Sequence, residues 1–207
     1  MPAPAPPTVT LPVTLPRDLP RQTMAEAIFL RICRTAQAGA EPGFRAAGVY
    51  RFDAPDRSFG TCYFARDFQT CFFETVVRDT PVHDGRVEIA RSEYDSRSLV
   101  VLLLETSKVN LVPVHGAGAK KLGVNLSLVA GADYAFPQAL SKAVHDHASQ
   151  PDGMIYRSRF DDGALAVVLF ERARGRVRLF PSSAPAPLPS VPEMGDALGA
   201  ELEFALV

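Results

Sequence analysis

Charge imbalance is the first thing this sequence lacks. Twenty-two Lys and Arg residues stand against twenty-three Asp and Glu, a formal charge of −1, and no long basic run occurs, so a groove for duplex nucleic acid has no electrostatic support. Long apolar runs are missing too. The longest purely aliphatic one, LVVLLL at 99–104, falls far short of the roughly 18 to 20 residues a membrane-spanning helix requires. The opening MPAPAPPTVT has neither the basic nor the apolar region of a secretory signal. Cysteine is scarce and odd in number: Cys33, Cys62 and Cys71 sit in apolar contexts with no CxxC spacing, which suits reduced core thiols in a cytoplasmic protein. Common catalytic motifs are absent as well. No GxSxG surrounds a serine, and VHGAGAKKLG lacks the Gly-Lys-Ser/Thr ending of a P-loop. His145 and His147 diverge by roughly 200° on an expected helix, so they do not readily share a metal and read as solvated. No metal is expected.

Proline, by contrast, is abundant at both ends. Seven of the eighteen prolines fall within residues 2–20 and five more within PSSAPAPLPSVP at 181–192, where a fixed φ and a missing donor discourage helix and sheet. The chain therefore divides into a Pro-rich arm (1–20), a main domain (21–181), and a Pro-rich linker (182–207) ending in a strand candidate, ELEFALV. Its 207 residues, 47% hydrophobic, are enough for one substantial core.

Within the main domain the periodicities alternate. RQTMAEAIFLRICRTAQ, 21–37, places Met24, Ala25, Ile28, Phe29, Ile32 and Cys33 at helical intervals, which predicts an amphipathic helix capped by Thr23. GVYRF and GTCYFA read as strands. Asp67 then caps a helix from about Phe68 to Val77 with a stripe of Phe68, Cys71, Phe72 and Val76, and Glu74 falls at the edge of that stripe beside Thr70 and Arg78. RSLVVLLLET and KVNLVPV read as paired strands, AGAKKLG as a short helix or turn, and PQALSKAVHDHAS as a helix. GMIYRSRF, ALAVVLFERA and RVRLF complete a strand-rich later part. Strands spaced this closely leave no room for βαβ crossovers throughout, so the expected class is α+β with a mixed, largely antiparallel sheet and flanking helices.

Arg51, Tyr63 and Glu74 come from three consecutive short elements, a set that suits a pocket for an anionic, aromatic ligand. Ser158 follows much later in YRSR. Each residue also has an ordinary reading. Arg51 pairs with Asp53 or Asp56, Tyr63 packs in the core, Glu74 pairs with Arg78 across one turn, and Ser158 is a polar residue on an alternating strand.

Taken together, VYRFDAP, GTCYFARDFQTCFFET with its Gly-x-x-Tyr-x-Ala, and DGMIYRSRF leading into ALAVVLF resemble the RES domain family over about Ala46 to Pro181. The resemblance implies a fold similar to ADP-ribosyltransferases and a NAD+-consuming toxin of a bacterial toxin–antitoxin pair. It also implies NAD+ as substrate and a separate helix-turn-helix (Xre-type) antitoxin that binds DNA for both proteins and covers the pocket. Homodimerisation within that complex stays open. On this reading Glu74 stabilises the ribosyl cation, Arg51 forks onto the pyrophosphate or adjacent ribose, Tyr63 stacks on nicotinamide with its hydroxyl available, and Ser158 orients ribose or carboxamide. The acceptor is water, phosphate or a protein side chain, the last making an ADP-ribosyltransferase. The competing class is an interaction module that keeps the fold without turnover.

Overall fold

Two runs too apolar for a half-exposed strand, LVVLLL and LAVVLF, place the centre of the molecule. A strand with apolar residues on both sides needs cover on both faces. The computed structural model, which describes residues 13–25, 27–78, 80–161, 163–191 and 204–207, provides that cover for LAVVLF, whereas LVVLLL alternates buried Val100, Leu102 and Leu104 with half-buried Leu99, Val101 and Leu103. Its strands are β1 Ile28–Arg34, β2 Thr61–Ala65, β3 Val82–His83, β4 Arg86–Ile89, β5 Arg97–Leu104, β6 Leu111–Val114, β7 Gly153–Arg157, β8 Leu165–Phe170, β9 Val177–Leu179, β10 Ala186–Pro187 and β11 Phe204–Leu206. The helices are α1 Phe68–Phe72, α2 Arg91–Asp95, α3 Gly116–Leu122, α4 Leu126–Ala130 and α5 Ala135–His145.

The main sheet runs β10-β5-β1-β2-β8-β7-β6, with β9 also on β5. Its pairings are antiparallel except β6 with β7, whose parallel run requires the crossover that α3, α4 and α5 supply. The class is therefore the expected α+β with a largely antiparallel sheet. Alternate residues feed two cores. On β8, Ala166, Val168 and Phe170 join one cluster with Phe52, Phe72, Leu140 and Tyr156, while Val167 and Leu169 join another with Phe29, Cys62, Phe64 and Leu102. Helix α5, expected over 137–149 and found at Ala135–His145, buries Phe136, Leu140 and Val144. A smaller sheet orders β11-β4-β3, its hairpin turning through Asp84 and Gly85, both at positive φ, as tight hairpins demand. Residues 1–12 of the N-terminal arm and 192–203 of the C-terminal segment lie outside the described residues. Val13 and Leu15 pack against the core and Leu19 is buried, and Leu188 in the other Pro-rich segment is fully buried.

Four expectations are corrected. The stretch expected as a helix over 21–37 instead forms β1 and a 3-10 segment, Thr35–Ala40. Seven residue pairs with β5, from Ile28↔Leu103 to Arg34↔Arg97, replace the helical hydrogen bonds, and the period of the apolar residues could not distinguish the two because Phe29 and Cys33 face one core and Ile32 the other. GVYRF is a turn, not a strand, entered through Gly48 at φ 72, a conformation that favours glycine. KVNLVPV does not pair with β5. It forms β6 at the far edge, parallel to β7. His145 is not solvated either: its ring stacks on Phe59 at 3.9 Å between centroids.

Candidate active site

The site begins with a gap in the main sheet. Strands β1 and β2 are neighbours but share a single register pair, Leu30↔Ala65. Beyond it Arg31 Nη1 donates to the Tyr63 carbonyl at 2.6 Å, so a side chain takes an acceptor that a continued ladder would give to a backbone N–H. A cavity of about 300 Å³ opens over this region, lined by residues of β1 and β2, the α1 segment, the 49–51 turn, Tyr134 and Tyr156. Its volume lies at the lower end for small-ligand pockets.

Glu74 reaches this cavity because of how α1 ends. Asp67 caps the helix as expected, accepting from Thr70 N at 2.8 Å and Thr70 Oγ1 at 2.9 Å. After Phe72 the backbone widens into a π turn over Phe73–Val77, a feature frequent at functional sites. Glu74 is half-buried there. Its Oε1 accepts from Ser158 Oγ at 2.7 Å and Arg159 N at 3.1 Å. The serine, 2% exposed, also accepts from Phe160 N at 3.2 Å. Ser158 therefore gives its proton to the acid and holds the Glu74 carboxylate in place.

Arg51 and Tyr63 face the same cavity. Arg51 is buried, and its Nη2 has no hydrogen-bond partner. Its guanidinium lies 5.7 Å from the centroid of the Tyr134 ring. The Tyr63 hydroxyl donates to Asp53 Oδ1 at 3.0 Å and accepts from Phe52 N at 3.0 Å, so its proton is already engaged and the available hydroxyl expected above is not what the fold presents. Burial, then the nearby Asp53 charge, holds this phenol well above its ordinary pKa. Tyr156 is likewise raised, by burial first and Glu74 second. Both tyrosines are neutral at physiological pH.

Of the four singled-out residues, Arg51, Tyr63 and Glu74 line one cavity and Ser158 is bonded to the third. The ordinary pairings for Arg51 do not describe its acids: Asp53 binds Thr61, Tyr63 and backbone N–H groups, and Asp56 pairs with Lys142 at 3.1 Å. Tyr50 and Tyr156, which flank the same motifs in the sequence, also line the cavity, but sequence reasoning missed how rich in arginine the rest of the wall is. Among the described residues, six arginines line the cavity (31, 34, 45, 51, 78 and 97) against one acid, Glu74. Glu41 binds both Arg31 and Arg45, and Glu93 binds both Arg34 and Arg97. Each acid shared by two arginines leaves net positive charge on that side, which suits an anionic ligand. Arg31 and Arg34 were hidden by the helical reading of β1. Among the described residues no group of three or more His, Cys, Asp or Glu forms a metal cage, and no helix is long and apolar enough to cross a membrane.

Comparison with known proteins bears on this arrangement. A chain of the crystal structure of the M. tuberculosis MbcT–MbcA toxin–antitoxin complex is similar in fold, with a TM-score of 0.59 and 18% identity over 88% of this chain and 91% of that one. No curated protein sequence matches this chain. The RES domain model matches residues 28–189, a span that holds β1 through β10, the cavity and all four singled-out residues, and the chain belongs to the RES domain family.

Proposed function

We propose that this protein is an enzyme that cleaves the nicotinamide–ribose bond of NAD+, acting as the toxin of a toxin–antitoxin pair. The observation that carries the reading is the buried, unpartnered Nη2 of Arg51 in an arginine-lined cavity that also holds Glu74. A buried donor without a partner is costly, and a phosphate oxygen would satisfy it with a charge-assisted bond. In the reaction the glycosidic C–N bond breaks and its electron pair leaves with the pyridinium nitrogen, so nicotinamide departs neutral and needs no general acid. Positive charge develops on the ribose, and Glu74 supplies the opposing carboxylate. The hydrogen bonds from Ser158 and Arg159 N fix that carboxylate before substrate arrives. Tyr63 and Tyr50, edge-on at 6.1 Å, offer ring surfaces for the nicotinamide. The acceptor oxygen bonds to the anomeric carbon. If it comes from water or a hydroxyl it loses a proton, and Glu74 is the carboxylate at hand.

The MbcT–MbcA structure is a toxin–antitoxin complex, and an enzyme that drains NAD+ needs restraint from outside. A separate antitoxin of the helix-turn-helix (Xre) type, seated over the cavity mouth, provides it. The decisive experiment incubates purified protein with NAD+, with and without phosphate, and resolves products by mass. Free nicotinamide is expected, and the second product identifies water, phosphate or protein as acceptor. If NAD+ is recovered intact, and expression of the soluble chain alone leaves growth and cellular NAD+ unchanged, the protein is an interaction module instead.

A further inference from the structure

Arg51 is unusual in how its backbone is held. Both peptide N–H groups beside it are tied to the same buried acid, one directly and one through a tyrosine. Tyr50 N donates to Asp53 Oδ2 at 3.0 Å, and Val49 N to the same oxygen at 3.1 Å. On the other side Phe52 N donates to the Tyr63 hydroxyl, which donates to Asp53 Oδ1, each at 3.0 Å. Thr61 Oγ1 adds a fourth donor to the carboxylate, at 2.6 Å on Oδ1. The carbonyls beside Arg51 are tied as well. Gln138 Nε2 reaches Tyr50 O at 3.0 Å, and Ser141 Oγ reaches Phe52 O at 2.7 Å, both from α5. Asp53 is 1% exposed, and its donors are the backbone or neutral hydroxyls. Four donors match the roughly four lone-pair sites of a carboxylate.

We propose that Asp53 is a positioning residue for Arg51, clamping the turn that carries it so that the guanidinium is presented to a ligand phosphate instead of being captured by the acid two residues on. This rests on the NAD+-cleaving reading above and extends it. The sequence VYRFD suggests a direct Arg51–Asp53 ion pair, which would leave the arginine neutralised. In the fold the carboxylate is filled by other donors, and Arg51 keeps a buried N–H group free. A residue that only stabilised a buried turn would serve equally well with any side chain at 51, whereas a positioning residue acts through Arg51.

The test is a double-mutant cycle on nicotinamide release. Asp53→Asn preserves shape but replaces two of the acceptor sites with donors and weakens the remaining bonds, which lose their charge assistance. It should raise KM for NAD+ about tenfold while kcat changes less than about threefold. In an Arg51→Ala background the same substitution should change neither parameter, the non-additivity expected of residues that act as one unit. Amide hydrogen exchange at Tyr50 and Phe52 supplies a second readout that needs no substrate, and it should quicken by at least about tenfold in Asp53→Asn while β8 amides hold their protection. Asp53→Ala is the stronger change, and should it not fold, Asp53→Asn carries the cycle. Additive losses in the Arg51→Ala background overturn the proposal, as does unchanged exchange at Tyr50 and Phe52. If the wild type releases no nicotinamide, the NAD+ reading falls and exchange at those two amides decides the clamp alone.

Discussion

On the proposed mechanism Glu74 and Arg51 divide the work at the scale of single residues, and conservative substitutions separate their roles. Glu74→Gln keeps the side chain's size and an acceptor for Ser158 but removes the charge proposed to oppose the ribosyl cation. Nicotinamide release should fall by about 10²- to 10³-fold, the usual cost of losing one preorganised electrostatic contact, with an unaltered circular dichroism spectrum. A variant that retains near-wild-type release would remove Glu74 from the mechanism. Arg51→Lys keeps the charge and loses the planar fork. Calorimetry should show NAD+ binding weakened by about tenfold, the equivalent of one lost charge-assisted hydrogen bond. An unchanged dissociation constant would mean that the buried Nη2 serves no phosphate.

At the scale of elements, the opening between β1 and β2 depends on a buried charge cluster. Glu41 has a fully buried side chain and binds Arg31 Nε at 3.0 Å and Arg45 Nη2 at 3.1 Å. Arg31 in turn holds the Tyr63 carbonyl, so the acid fixes the arginine that bridges the two strands where they part. Removing one member of such a group leaves an uncompensated buried charge, which commonly costs about 3 to 5 kcal/mol. Glu41→Ala should lower unfolding stability by that order in urea titrations. An exposed ion pair lost in the same way, such as Lys108 with Glu105, contributes little because water and salt screen it. A Glu41→Ala midpoint as high as the wild type's would show that the bridge does not hold the opening.

For the whole molecule, the two-sided core sets a dependence on alkaline pH. Burial raises the Cys33 thiol from 9.0 to about 11 and the Cys71 thiol from 9.0 to about 12, and Cys62 moves the same way. The folded thiols stay protonated where the unfolded chain has begun to lose its protons. Their stabilising contribution is complete below pH 9 and declines as pH rises from there towards the folded values. Within that window the buried Cys71 thiol removes up to about 1.4 kcal/mol per pH unit. The urea midpoint should therefore fall between pH 9 and pH 11, and replacing Cys71 with Ala should flatten the slope. A midpoint that stays level over this range would contradict the burial of these thiols.

What the sequence determined alone is local. The helix bearing Glu74 was legible because Asp67 caps it within three residues, and β8 because a continuous apolar run bounded by turns has few alternatives. The mixed, largely antiparallel class followed from strands too closely spaced for crossovers. The four singled-out residues were visible as an ordered set, but not their contacts. Only the tertiary structure decided that residues 28–34 are a strand, since Ile28, Phe29, Ile32 and Cys33 satisfy a helical period equally well and the choice rests on pairing with β5, some seventy positions away. It also decided that Arg51 rides on a turn, that Asp53 serves the backbone beside it, and that Ser158 belongs to Glu74 across 84 positions. Hydrogen bonds within a helix or cap join neighbours and leave a signature in short windows. The bonds that make this cavity join distant segments, and their partners are set by the packing of the whole sheet.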